Sequence, residues 1–192
     1  MNKHQKYLGE LANKLNWNFD GNKSVQIKDY SNFTMSNIGK LILVQNQIHG
    51  VENETNFKFA EVEIDMDIRT IAADTLIPAL LLTPTKSNEH IPVFTLEKEG
   101  FFDKVKELSG FDDIDFDNHP EFSKKFLLKG NHEDNVRSLF KEELIKLIES
   151  NPHYHIESNG SAIVIYRFDH NNAVDKVEQI ISFGRELNRI IK

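Results

Sequence analysis

The chain reads as an α+β fold: an antiparallel sheet with flanking helices, opened by an amphipathic helix and closed by a β-α-β-hairpin-α unit. Three observations carry that reading. Residues 57–68 alternate apolar and acidic side chains, the period of a strand with one covered face. Asn159-Gly160 stands between two strand-like runs, the strongest short-range hairpin signal. Helix-period stripes follow these strands, and strands joined by hairpins with helices after them imply an antiparallel sheet with helices on one face.

Residues 3–16 place Tyr7, Leu8, Leu11, Ala12 and Leu15 on one helical face, with Lys, Glu and Asn opposite. Residues 16–24, rich in Asn, Asp and Gly, read as a loop in which Trp17 and Phe19 staple that helix to the body. Residues 41–45 are a short apolar strand. In 57–68, Ala60, Val62, Ile64, Met66 and Ile68 alternate with Glu61, Glu63, Asp65 and Asp67. Phe57 and Phe59 have the other parity, so a bulge or boundary is expected near 59–60. Residues 75–83 are apolar almost throughout, as in a strand covered on both faces, while Pro78 points to an edge or a bulge.

Residues 92–96 form a short strand and 101–108 a short helix. Residues 122–129 read as a strand. A helix over 133–150 puts Val136, Leu139, Phe140, Leu144, Leu147 and Ile148 on one face, capped by Asn131 and ended by Asn151-Pro152. A type I′ turn at Asn159-Gly160 joins the next two strands. A last helix, 173–191, buries Val174, Val177, Ile180, Ile181, Leu187 and Ile190. One domain over 1–192 accommodates these elements, with the helix of 1–18 either an appendage or part of the body 19–192.

Composition narrows the function. At 39% hydrophobic and 28% charged residues the chain is that of a soluble globular protein. It has no cysteine, which removes disulfides, thiolate nucleophiles, thiolate zinc sites and iron–sulfur clusters, and fits a reducing, cytoplasmic setting. No apolar run approaches the roughly 20 residues of a membrane-spanning helix, so stable membrane insertion is not expected. Ten acidic and three basic residues between Glu89 and Glu121 account for the whole net charge of −7. Elsewhere Lys and Arg are dispersed among acids, so no basic surface for nucleic acid or for an acidic membrane is present. The sequence also lacks a Gly-rich phosphate loop, a dinucleotide fingerprint, HExxH and GxSxG, and it implies no cofactor.

The stretch Asp113-Ile-Asp115-Phe116, His119-Pro120-Glu121-Phe122-Ser123, the run 125–130, then Glu133-Asp134-x-Val136 and Leu139-Phe140 resembles a bacterial family marked by a DIDF…HPEFS(R/K)(R/K)(Y/F)xLxG core. The resemblance extends more loosely from Phe94 to the end. Upstream, Asn46-Gln47-Ile48-His49-Gly50 is similar to a family Asn-x-x-x-Gly turn ahead of a strand pair. Many members carry transmembrane segments before this region, and this chain departs from them there. The resemblance implies no activity.

Asp113-x-Asp115-x-Asp117 has the opening of a calcium loop, since alternate carboxylates can converge on one hard cation. Asn118 stands where that loop needs glycine and Lys124 where it needs a bidentate glutamate, which breaks the match. The structural alternative anchors Ile114 and Phe116 in the core and leaves the aspartates in water. His119 is a candidate ligand or base, or a hydrogen-bonded structural histidine, without a nucleophile nearby in sequence. His153 and His155, two apart in a strand, share a face with Glu157 and form a candidate zinc or nickel site, or else an exposed strand face. Glu61, Glu63, Asp65 and Asp67 make a carboxylate row of the kind acid–base catalysis uses, or simply a solvent-facing strand.

Without a convergent catalytic set, the residues point to a non-enzymatic domain that binds a protein or small-molecule partner, with Asp113, Asp115, Asp117, His119 and Glu121 as the binding surface. The rival is a metal-binding protein or metal-dependent enzyme using Asp113, Asp115 and His119 or the His153/His155 pair. A homo-oligomer built on the first helix is the third reading, and the sequence leaves the oligomeric state open.

Overall fold

The computed structural model describes residues 1–22, 28–37, 40–65, 75–86, 90–99, 112–168 and 175–192. Among them, α1 (Lys3–Leu15), α2 (Pro120–Lys125), α3 (Glu133–Leu139), α4 (Glu142–Glu149) and α5 (Asp175–Ile191) accompany eight strands. These are β1 (Asn18–Asp20), β2 (Lys40–Glu52), β3 (Thr55–Asp65), β4 (Thr75–Pro84), β5 (Phe94–Lys98), β6 (Phe126–Gly130), β7 (His155–Ser158) and β8 (Ile163–Tyr166). They form one sheet in the order β1-β2-β3-β4-β8-β7-β5-β6, with every neighbouring pair antiparallel. The fold is α+β, as the sequence leads one to expect. The short helix expected at 101–108 lies outside the described residues, as do Met66, Ile68 and Val174.

The centre of the sheet is buried on both faces. One face carries Phe57, Phe59, Leu80, Leu82, Ile163 and Ile165 beneath Leu8, Leu11 and Ala12 of α1 and Val177, Ile180, Ile181 and Leu187 of α5. The other carries Ala60, Val62, Ile64, Ile77, Ala79, Leu81 and Val164 beneath Tyr30, Phe33 and Met35, from a strap of residues 28–37. This explains the parity of 57–68 without the expected bulge: β3 runs in unbroken register against β4 from Thr55↔Pro84 to Ile64↔Thr75. Phe57 and Phe59 serve one core, and Ala60, Val62 and Ile64 the other. The irregularities sit instead in β2, between Leu41 and Leu43 and, opposite residues 59–61, between Gln45 and Ile48, where Asn46 adopts φ 52°. The segment 46–50, expected as a turn, is therefore the interior of a bulged strand.

β4 is an interior strand, and Pro78 stands one residue beyond its pairing with β8, which covers Ala79 to Leu82. Residues 18–20, expected as loop, form β1 on the edge of β2. Trp17 does staple: its ring lies 5.6 Å from Phe57 and against Gly50, where a Cβ would come within 2.2 Å of the indole. Glycine is needed at Gly184 for the same reason, since a Cβ on this α5 residue would meet Leu80 at 2.3 Å.

Four further expectations are corrected. Residues 122–129 are not one strand: Pro120 opens a helix, with Glu121 in its first turn and Lys124 and Lys125 in its last, before β6 begins at Phe126. Residues 133–150 form two helices, because Phe140 turns out of helical geometry (φ −81°, ψ 64°). Its ring reaches an aromatic cluster, 5.1 Å and edge-on to Phe94 and 6.4 Å from both Phe116 and Phe122. The N-cap is His132, not Asn131. The β7–β8 hairpin is present, but Ser158 pairs with Ile163, leaving a four-residue loop. Gly160 there has positive φ (93°). The Asn159 carboxamide oxygen accepts from the N–H groups of Ser161 and Ala162 at 3.1 and 3.0 Å, which replaces the expected type I′ turn.

Candidate functional site

The motif Asp113–Ser123 folds as a loop that runs into α2 at Pro120 and is clamped to the sheet edge. Asp113 bridges Lys129, and the Ile114 N–H donates to the Leu128 carbonyl at 2.8 Å. Ile114 and Phe122 are buried, and Phe116 is half-buried with its ring 5.9 Å from Phe122. The Phe116 N–H donates to Ser123 Oγ at 2.8 Å, and the Phe116 carbonyl accepts from the His119 N–H at 2.9 Å. From α3, Arg137 Nη1 donates to the Asp115 carbonyl at 2.6 Å, and its guanidinium stands 5.2 Å over the Phe116 ring.

The apolar residues of the motif are thus its anchors, while Asp112, Asp113, Asp115, Asp117 and Glu121 are exposed. Glu121 pairs with Lys124 at 3.2 Å. Partial loss of hydration, and then the neighbouring Asp115 carboxylate, push the Asp113 carboxyl above its ordinary pKa. His119 is half-buried, and its backbone carbonyl accepts from the Ser123 N–H at 3.2 Å.

His153 and His155 do not share a strand. β7 begins at His155, whereas His153 lies exposed in the preceding turn, its ring 4.2 Å from Tyr154. His155 and Glu157 do share a face, but a buried one rather than the exposed face expected. His155 stacks on Tyr166 (5.2 Å) and meets Phe168 edge-on (5.3 Å). Burial lowers its pKa to about 4. Glu157 Oε2 accepts the Thr34 N–H at 2.6 Å, and Oε1 accepts the Tyr166 hydroxyl. Among the described residues no three or more His, Asp or Glu side chains converge as a metal site.

The carboxylate row is likewise not solvent-facing throughout: Glu61 is only 5% exposed. The Asn46 amide donates to its Oε2 at 2.6 Å, and His4 Nε2 bonds its Oε1 at 2.6 Å. Gln5 Nε2 donates to Asn46 Oδ1 at 3.2 Å. His4, Asn46 and Glu61 floor a cleft of about 850 Å³ between α1 and the sheet, with Lys3, Lys6, Tyr7 and Leu76 around it. The sequence reading missed His4 and Asn46. Only the Asn-x-x-x-Gly resemblance drew notice to the second, and nothing linked either to Glu61 across 57 and 15 residues.

No helix among the described residues is long and apolar enough to cross a membrane. Neither the family models nor the curated proteins give a match. Among solved structures, the chain is similar to the crystal structure of the mycobacterial trehalose monomycolate transport factor A, TtfA, at a TM-score of 0.64 and 10% identity, over 100% of this chain and 96% of that one. At that identity the likeness is one of fold.

Proposed function

We propose that this chain is a single-domain, non-enzymatic binding protein of the cytoplasm that holds a basic partner on the loop 112–121. One observation carries the reading: exposed aspartates project from a loop whose backbone and apolar side chains are already fixed. Like charges are held together before any partner arrives: the Asp113 carboxyl is pushed up first by lost hydration and then by the neighbouring Asp115 carboxylate. A cationic surface would relieve that repulsion without reordering the loop.

The polar groups most able to do chemistry support the same reading, because they serve the backbone and the core. Ser123 accepts from Phe116, Glu157 from Thr34 and Tyr166, and Glu61 from Asn46. The fold likeness to a protein titled a transport factor accords with a role in holding rather than converting. A cysteine-free sequence suits the cytoplasm.

The test is titration of a fluorescent oligolysine peptide at low salt. D113K/D115K/D117K is compared with E10K/E142K/E178K, which makes the same charge change at exposed sites elsewhere. The loop variant loses at least tenfold in affinity with an unchanged circular dichroism spectrum, and the control loses much less. Equal losses in the two variants eliminate this surface.

A further inference from the structure

At the end of the sheet opposite the His4 cleft's floor residues in sequence, where β3 begins and β4 ends, a second cavity of about 500 Å³ opens between the strands and α5. That size lies within the roughly 300–1,000 Å³ of small-molecule pockets. Its apolar wall is made of Leu82 and Ile163 from the sheet, with Leu139, Ile91 and Ile191 around them. A neighbouring hollow of about 580 Å³ shares His90, Ile91, Pro92 and Leu139 with it, and beyond them its lining turns polar at Asn131, Asn135 and Ser138.

Glu54, His90 and Lys192 also line it, and two polar side chains of the lining are buried, Thr55 (1% exposed) and Asn188 (5% exposed). Thr55 Oγ1 donates to Asn188 Oδ1 at 2.9 Å. Among the described residues that is the one hydrogen bond of the Asn188 side chain, and whichever way round the amide is turned, one end of it is left without a protein partner. α5 otherwise buries aliphatic and aromatic residues along this face. A carboxamide enclosed at this depth costs stability unless it is hydrogen-bonded, so its position asks for a partner inside the cavity.

We propose that this cavity binds a neutral amphiphile, an apolar chain carrying one carbonyl or hydroxyl, with that polar group on Asn188 and the chain along Leu82, Ile163 and Leu139. The chemistry selects neutrality. The buried group is an uncharged amide, and the charges of the lining, Glu54 and Lys192, oppose each other in sign, so a carboxylate drawn to Asn188 would lose its hydration for little net countercharge. The site is separate from the acidic loop and does not rest on that loop's reading.

The experiment titrates 2-octanone into the full chain carrying ¹³C-labelled methyl groups, with octanoate in parallel. Saturable shifts are expected at Leu82, Leu139, Ile163 and Ile191, and octanoate binds at least tenfold more weakly. Asn188→Leu weakens the ketone about tenfold while keeping the aliphatic character of the helix face. Leu139→Trp, at a half-buried position, fills the space and abolishes binding. The proposal is overturned by absence of saturable shifts, by shifts confined to the α1 cleft, or by ketone affinity unchanged in either variant. If Asn188→Leu does not fold, the Leu139→Trp result decides alone.

Discussion

Tyr166 on β8 donates its hydroxyl hydrogen to Glu157 on β7 across 2.5 Å, at a place from which water is excluded. The other oxygen of the same carboxyl accepts the Thr34 N–H at 2.6 Å. One side chain thereby joins two strands to the strap whose Tyr30, Phe33 and Met35 cover the second sheet face.

Lost hydration pushes the Glu157 carboxyl above its ordinary 4.5, and the Tyr166 and Thr34 hydrogen bonds oppose this without overcoming it. A carboxyl whose folded pKa exceeds its unfolded one binds more protons in the native state. Its contribution to stability is full below pH 4.5 and is lost as pH rises through the folded value. In Glu157→Gln, which keeps an acceptor but cannot ionise, this falling contribution is absent, so the slope of stability against pH above 4.5 is more positive than in the parent. Urea denaturation across that range reads the slopes, and identical slopes refute the assignment.

His155 works in the opposite sense. Burial takes its pKa from 6.5 to about 4, so between those values the unfolded chain binds more protons and stability rises with pH. At about 1.36 kcal/mol per unit, the full window is worth on the order of 3 kcal/mol. In the parent the two neighbours offset one another above pH 4.5. His155→Phe, which preserves the stacking on Tyr166, unmasks the falling limb of Glu157. A stability profile that superimposes on the parent's from pH 4.5 to 6.5 would falsify this.

Ser123 is the hinge pin of the acidic loop. Its hydroxyl accepts the Phe116 N–H, and alanine there leaves that amide without its partner. The loss is about 1–2 kcal/mol, the scale of a part-buried hydrogen bond with its donor orphaned. Hydrogen exchange at Phe116 and His119 accelerates more than exchange in β6. Uniform acceleration would mean that the hydroxyl supports the domain generally and not this loop.

Long-period features were legible in the sequence and pairwise ones were not. The stripes of α1 and α5 and the alternation in β3 came through because each repeats over many residues. Helix-period matching cannot see that Phe140 gains more from Phe94 and Phe122 than from continuing its helix, because those partners lie far along the chain. It equally missed that Glu61 is buried: acidic alternation looks alike whether the face meets water or an Asn–His pair. In the motif 113–123, the anchoring of Ile114 and Phe116 was readable from hydrophobicity. The Arg137 clamp on the Asp115 carbonyl was not, since nothing in the sequence pairs one cation with one backbone carbonyl 22 residues away.

Glu61 tests whether the α1 cleft is held open by design of its floor. The carboxylate satisfies Asn46, itself 6% exposed and held at φ 52° in the β2 bulge, and ties the first turn of α1 through His4. Glu61→Ala removes both acceptors and leaves a buried amide with the Gln5 contact alone, at a cost of about 1–3 kcal/mol. Glu61→Gln retains one acceptor and loses less. Because Leu8 and Leu11 still pack in the main core, α1 remains helical in both variants. Exchange at the first-turn amides near Gln5 and Lys6 then rises more than at Leu11. Thermal melts rank the variants parent, Gln, Ala in falling stability. Equal stability of all three would show that the His4–Glu61–Asn46 chain contributes nothing to docking the helix.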